Sequence, residues 1–304
     1  MATFSGSMAE LLEPRLREVY FREYTMQELL YPKVFNIKKS TKAFEDVAKV
    51  GGFGPLATKG EGQPVAYDDP VISARKRTIH TVYALGFRVT MEMMDDDLYN
   101  VIDQMPKDLA DATRDHQENL AWGVLNDGFA GAVHTTIGGD TLFAIHTLIK
   151  SGGTYSNLQA PAVALSVTGM EDILTMARVM VDESGRFTPC KLSTLIIPPA
   201  LEFEAARLLE TDKAAGEPGS NENQINTVAT NRIGVSALVV PYLTDDDAYF
   251  LIAEKSKHSL NWFNRREIEF DKGKDFATKD ALFDVMYRAH VTVDDWKGVW
   301  GSTG

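Results

Sequence analysis

The residue types that carry chemistry are all present in this 304-residue chain, but their spacing does not assemble a reaction. Six histidines, His80, His116, His134, His146, His258 and His290, never fall at the short intervals that seat a metal ion. His116-x-Glu118 with Pro189-Cys190 has part of a zinc deaminase pattern, in which two cysteines join the histidine on the metal. The second cysteine would stand at position 193, which is Ser193. Gly52-x-Gly54-x-x-Ala57 has the letters of a dinucleotide fingerprint. That loop works only where a strand leads into a helix whose N-terminus faces the pyrophosphate, and Pro55 follows with no helical spacing behind it. Neither G-x-x-x-x-G-K-[ST] nor G-x-S-x-G occurs. Asp95, Asp96 and Asp97, and again Asp245, Asp246 and Asp247, offer carboxylates of the kind that hold Ca²⁺ or Mg²⁺. The same acids equally cap a helix or solvate a turn. No catalytic, cofactor or metal-binding residue is assigned, and no cofactor is expected.

Composition narrows the class. With 44% hydrophobic and 24% charged residues the chain reads as an ordinary soluble globular protein. Nothing in it resembles a membrane span or a signal peptide. Cys190 is the only cysteine, which rules out an intrachain disulfide and points to synthesis in a reducing cytoplasm. A net charge of −12 argues against a protein whose whole surface grips nucleic acid.

The elements that would have to position a site are organised around residues 95–129. Leu98, Val101, Ile102, Met105, Leu109, Ala112, Leu120 and Val124, with His116 in the gap, recur at steps of three and four and predict one buried stripe on a helix. Pro106 either kinks that helix or stands near the start of a second one. The opposite face reads as acidic, with Asp103, Asp108, Asp111, Asp115 and Glu118 joining Asp95, Asp96 and Asp97. The result is a strut with an anionic face. Before it, residues 1–42 read as an arm with helical spacing broken by Pro14 and Pro32. Residues 43–79 read as a glycine-rich excursion returning along Arg75, Lys76 and Arg77. The alternating run 78–93 predicts a strand. Behind the strut, helices are expected over 167–181 and 200–209, and strands over 192–197, 233–240, 248–253, 266–270 and 282–293. The polar stretch 211–227 predicts an exposed loop. Helices and strands interleave without a βα repeat, so the fold class is α+β with mixed sheets.

More specific are Thr141-Leu142-Phe143 with His146, Gly153-Thr154-Tyr155-Ser156-Asn157, the helix ending VDESG, then LIIPPALEFEAARLLET and PYLTDDDAYFLIA. In this order the chain resembles the major capsid proteins of tailed bacteriophages, the HK97-like fold, and within them the Mu-like prophage head subunits. The resemblance implies an N-terminal arm over 1–42 reaching a neighbour, and an extended loop over 43–79 laid on an adjacent subunit. It implies a peripheral domain over 80–160 with its spine helix, an axial domain over 161–254, and C-terminal strands over 255–304. It implies a non-enzymatic subunit of the virion, assembled in the host cytoplasm through hexamers and pentamers into an icosahedral shell around double-stranded DNA. The DNA would be held without sequence specificity, and the protein would have no membrane role. A separate scaffolding protein is expected, because no helical scaffolding segment precedes Met1, together with a portal and a decoration protein.

Two sets of residues are then expected at contacts. The loop carrying Asp212, Glu217, Asn221 and Asn223 would point to the capsomer axis. The basic limb of Arg75, Lys76 and Arg77 would meet the acidic strut face of a neighbour, from Asp95 through Glu118. Three other functions use parts of the same pattern: an encapsulin-type nanocompartment shell, another virion component, or an enzyme of unrecognised type.

Overall fold

Alternation of apolar residues dictates the longest strands. In β11 (Ala281–Val293), Ala281, Phe283, Val285, Tyr287, Ala289, Val291 and Val293 are buried, while most of the residues between them are partly or fully exposed. The computed structural model describes residues 7–96, 101–131, 133–210, 228, 234–275, 277–278 and 280–304. Strand β11 lies in a four-stranded sheet of order β1 (Asn36–Lys39), β10 (Leu260–Lys274), β11 and β4 (Thr81–Val89). β4 runs antiparallel to β11, with Ala281 opposite Val89 and Ala289 opposite Thr81. A second sheet has the order β12 (Val299–Ser302), β9 (Tyr249–Ala253), β7 (Leu192–Ile197) and β8 (Ser236–Val239). Within it β7 and β8 are parallel and β7 and β9 antiparallel. Two hairpins stand apart, β2 (Phe44–Gly51) with β3 (Val71–Ile79), and β5 (Ile145–Thr147) with β6 (Thr154–Ser156).

The described residues fall into two compact units. The first takes Met1–Glu45, Thr78–Ala121 and Trp262–Val291. The second takes Asp46–Arg77, Trp122–Asn261 and Thr292–Gly304. The stretch 80–160, expected as one body, divides between them at Ala121 and Trp122.

In the first unit, α1 (Ser7–Met26) continues through Pro14 and packs inward. Leu12, Leu16, Tyr20 and Tyr24 recur every four residues. Leu16 and Tyr20 are fully buried in a core with Val89, Ile102, Leu109, Phe270, Phe283 and Val285. Pro14 lies on the exposed side, so its missing N–H interrupts the helix where solvent can take the freed carbonyl. Ion pairs Arg15–Asp103 and Lys272–Glu13 flank this seam.

The strut is α4 (Val101–Asn126). A short helix, α3 (Met91–Asp96), follows β4, and Pro106 sits buried in α4 near the first of its described residues, one of the two positions expected for it. The buried face is also rotated. Val101, Ala112 and His116 are exposed, while Thr113, Arg114, Gln117 and Glu118 are buried. The reason is chemical: α1 and the residues after it bring polar groups against the strut. Tyr24 donates its hydroxyl to Gln117 Oε1 at 2.6 Å. Periodicity ranks these side chains as polar and turns them outward, but their partners hold them inside. Among the described residues, no helix is long and apolar enough to cross a membrane.

In the second unit, Phe129, Phe143 and Phe250 stack at 4.8–5.6 Å. Trp296 and Trp300 are buried, and Trp262 is buried in the first unit. The helix expected over 167–181 is α5 (Val167–Arg178), and its Ser166 cap accepts from Gly169 N at 3.1 Å. Strand β7 closes at the proline pair and leads through a short turn into α6 (Glu202–Glu210), as expected.

If α1 is core, truncating it unfolds rather than merely disarms. Tyr20→Ala or Leu16→Ala should cost about 2–5 kcal/mol in denaturant unfolding. Unfolding midpoints equal to that of the unaltered chain would show that α1 does not hold the first unit together.

Candidate functional site

The hairpin of β2 and β3 carries the least satisfied surface among the described residues. Between its strands, residues 52–70 have no regular structure, as Gly52, Gly54, Pro55, Gly60, Gly62, Pro64 and Pro70 dictate. Along it Val50, Phe53, Val65 and Ile72 are exposed, and Leu56 and Tyr67 are 102% and 94% exposed. So many large apolar side chains along one extended segment mark a surface that another body covers.

The base of the hairpin is fixed from within the chain. Lys49 Nζ lies 3.0 Å from Glu183 Oε1. Lys76 Nζ donates to Thr135 O, Thr292 Oγ1 and Val293 O at 2.7–2.8 Å. Burial pushes the Lys76 ammonium below its ordinary range, against the pull of Asp294. Lys76 is therefore an internal anchor, and its expected role at a subunit contact is corrected. Arg77 forms a two-point pair with Asp46 at 2.8 Å, on the neighbouring strand. Arg75 alone of the three is exposed with no ion pair among the described residues.

The acidic row also changes character. Glu118 is buried and accepts backbone N–H bonds from Leu30 and Tyr31, holding the start of α2 (Tyr31–Val34) against the strut. It is a structural acceptor and not part of an outer face. Asp103 pairs with Arg15, and Asp111 with Arg114 at 2.7 Å. Asp108 and Asp115 stay exposed with amide partners one turn away, Gln104 and Asn119. Asp96 is exposed. Asp97 and the side chain of Asp95 lie outside the described residues, as do Asp212, Glu217, Asn221, Asn223 and the rest of the stretch 211–227.

Beside the acids, Tyr83, Leu85, Ala112, His116, Asn119 and Tyr287 line an open groove of about 570 Å³ between β4, β11 and α4. His116 Nδ1 lies 2.6 Å from the Tyr287 hydroxyl. Nothing in the groove resembles a nucleophile with its base. No group of three His, Cys, Asp or Glu side chains gathers for a metal among the described residues. Cys190 is buried, and burial pushes its thiol up, away from the reactive thiolate.

Sequence reasoning missed Glu183 altogether. It sits in the VDESG motif as one more surface acid by letter, yet it is buried. Lys49 was equally silent and Lys76 stood only for surface charge, since an anchoring lysine and a solvated one look alike in sequence.

Comparison with known proteins places this geometry. A family model described as phage capsid protein matches residues 75–302. The capsid of the cyanophage P-SCSP1u has a similar fold, with a TM-score of 0.60 and 9% identity over 90% of this chain and 88% of that one. The procapsid of bacteriophage JBD30 gives 0.53 and 15% over 98% of this chain and 75% of that one. The holo-SrpI encapsulin complex from Synechococcus elongatus PCC 7942 gives 0.50 and 11% over 92% and 88%. No curated protein sequence matches.

The Glu118 assignment has its own consequence. Glu118→Ala should destabilise by about 1.5–3 kcal/mol, since buried N–H groups lose a charged acceptor. Glu118→Gln should recover part of that in thermal unfolding. Equal stability of all three proteins would return Glu118 to the surface.

Proposed function

The chain belongs to the phage capsid protein family, and on that premise we propose that it closes into a shell of hexamers and pentamers by laying its 44–79 hairpin over an adjacent subunit. The fold is HK97-like, and the protein is a structural subunit of the virion shell. The observation that carries the proposal is the fully exposed Leu56 and Tyr67 on an anchored, projecting hairpin. A contact between subunits would remove that apolar surface from water, at roughly 25 cal/mol per Å². The motifs from Thr141 to Ala253 support a place in the Mu-like prophage head subunit group.

The shell encloses double-stranded DNA in this reading, without base-specific contacts, as a net charge of −12 suits. A separate scaffolding protein and a portal complete the particle, which assembles in the host cytoplasm. The polar loop 211–227, with Asp212, Glu217, Asn221 and Asn223, faces the capsomer axis. The encapsulin reading shares the fold, and the family match favours the phage capsid.

The charge contact between subunits is reduced to the groups left outward. Arg75, with Arg77 shared with Asp46, meets Asp108, Asp111 or Asp115 of a neighbour. Each exposed pair contributes only about 0.2–1 kcal/mol, so its effect is on register and salt sensitivity.

Leu56→Asp with Tyr67→Asp should leave the subunit folded by circular dichroism and abolish closed particles in electron microscopy. Normal particles from that variant would refute hairpin-mediated assembly. For the charge contact, Arg75→Glu should slow assembly most at low salt and least at high salt, followed by light scattering. Rates equal to the unaltered protein at every salt concentration would remove the contact.

A further inference from the structure

A two-stranded ribbon such as β2 with β3 can swing unless something pins it. The pin is a buried carboxylate. Glu183 is 4% exposed and Lys49, from β2, is 10% exposed, with 3.0 Å between Lys49 Nζ and Glu183 Oε1. The same oxygen receives Lys297 Nζ at 2.6 Å, and Oε2 accepts the Ile149 N–H at 3.0 Å. Lys297 also reaches Asp295 at 3.0 Å, so two ammonium groups face two carboxylates.

Glu183 is held independently of the hairpin. Its backbone carbonyl accepts from Lys150 N and Ser151 N, both at 3.1 Å. Gly185, at φ +80°, closes the turn back to Asp182, a conformation that glycine adopts without strain. Gly298, at φ +83°, turns the chain just after Lys297, where a Cβ would strike Lys257 O. Lys297, the Ile149 N–H and Lys49 together outweigh burial and hold the carboxyl of Glu183 below its ordinary range. The hairpin approaches this seat closely: Gly51 passes the Cβ of Lys150 and of Glu183, and Gly52 O accepts from Ser184 at 3.1 Å.

We propose that Glu183 is a positioning residue: a seat, prepared by the rest of the second unit, that receives Lys49 and fixes the direction of the hairpin before any neighbour is met. Lys76 supplies the matching anchor from β3. Without Lys49, Glu183 keeps Lys297 and the Ile149 N–H, so the seat survives while the hairpin loosens. Accurate assembly depends on this pinning, a consequence that rests on the capsid reading; the pinning itself does not.

The test uses the full chain at a concentration where it is monomeric. Hydrogen exchange is read in 44–51 and 71–79, and proteolytic cleavage in 52–70. Lys49→Met should speed both on the order of tenfold or more, while α5 and β7 exchange at the rate of the unaltered protein. Lys49→Arg should restore protection, and Glu183→Gln should loosen the hairpin as Lys49→Met does. Unchanged exchange in the hairpin of Lys49→Met would overturn the proposal. So would equal loosening of α5 and β7, which would make the pair a general stabiliser. Particle formation is scored separately. Misformed particles from Lys49→Met support the link to assembly, and normal particles with a loosened hairpin refute that link. Failure of the unaltered chain to assemble at all counts against the capsid reading and leaves the exchange result standing.

Discussion

A two-stranded ribbon has no interior. Every apolar side chain on it faces water on one side or the other unless a second body covers it, and that constraint governs this protein. Phe53, Leu56, Val65, Tyr67 and Ile72 lie on such a ribbon or in the loop that joins its strands. A chain with two cores of its own has no need to place them there for stability. In a capsid shell, neighbouring copies of the chain are at hand to cover them.

The rest of the structure keeps that ribbon presentable. Lysines on both strands tie the hairpin to the rest of the second unit, Lys49 onto Glu183 and Lys76 onto main-chain carbonyls, so the exposed segment begins from a fixed base. In the first unit, α1 and α2 are tied to the strut by buried polar contacts, Tyr24 with Gln117 and Glu118 with two backbone N–H groups. These contacts turn the strut so that Ala112 and His116 face the open groove beside Tyr83. Rigidity at the base and exposure along the ribbon are two halves of one design, since a covering contact that also had to order the hairpin would lose affinity to its entropy.

Much of this was legible in the sequence where one periodicity dominates. The alternation in β11, the apolar run of β7 with its proline pair and the spacing of α5 gave their elements directly. The glycines and prolines of 52–70 marked the excursion. The rotation of the strut was not legible, because Gln117 and Glu118 are buried by partners in α1 and α2 that lie about ninety residues away. Pro14 suggests a break by letter, yet α1 continues through it because the ring lies on the exposed side. The basic limb reads as one patch, yet Arg75 is exposed, Lys76 half-buried on main-chain carbonyls, and Arg77 paired with Asp46. Charge type is written in sequence, and charge environment is not.

Hydroxyl-radical footprinting of the hairpin in free and assembled protein tests the central claim most directly. Tyr67 and Leu56 should be oxidised readily in the free subunit and become protected on assembly, while Phe203, also exposed on α6, serves as an internal comparison. Equal oxidation of Tyr67 and Leu56 in both states would mean that no neighbour covers the hairpin, and the account would fail.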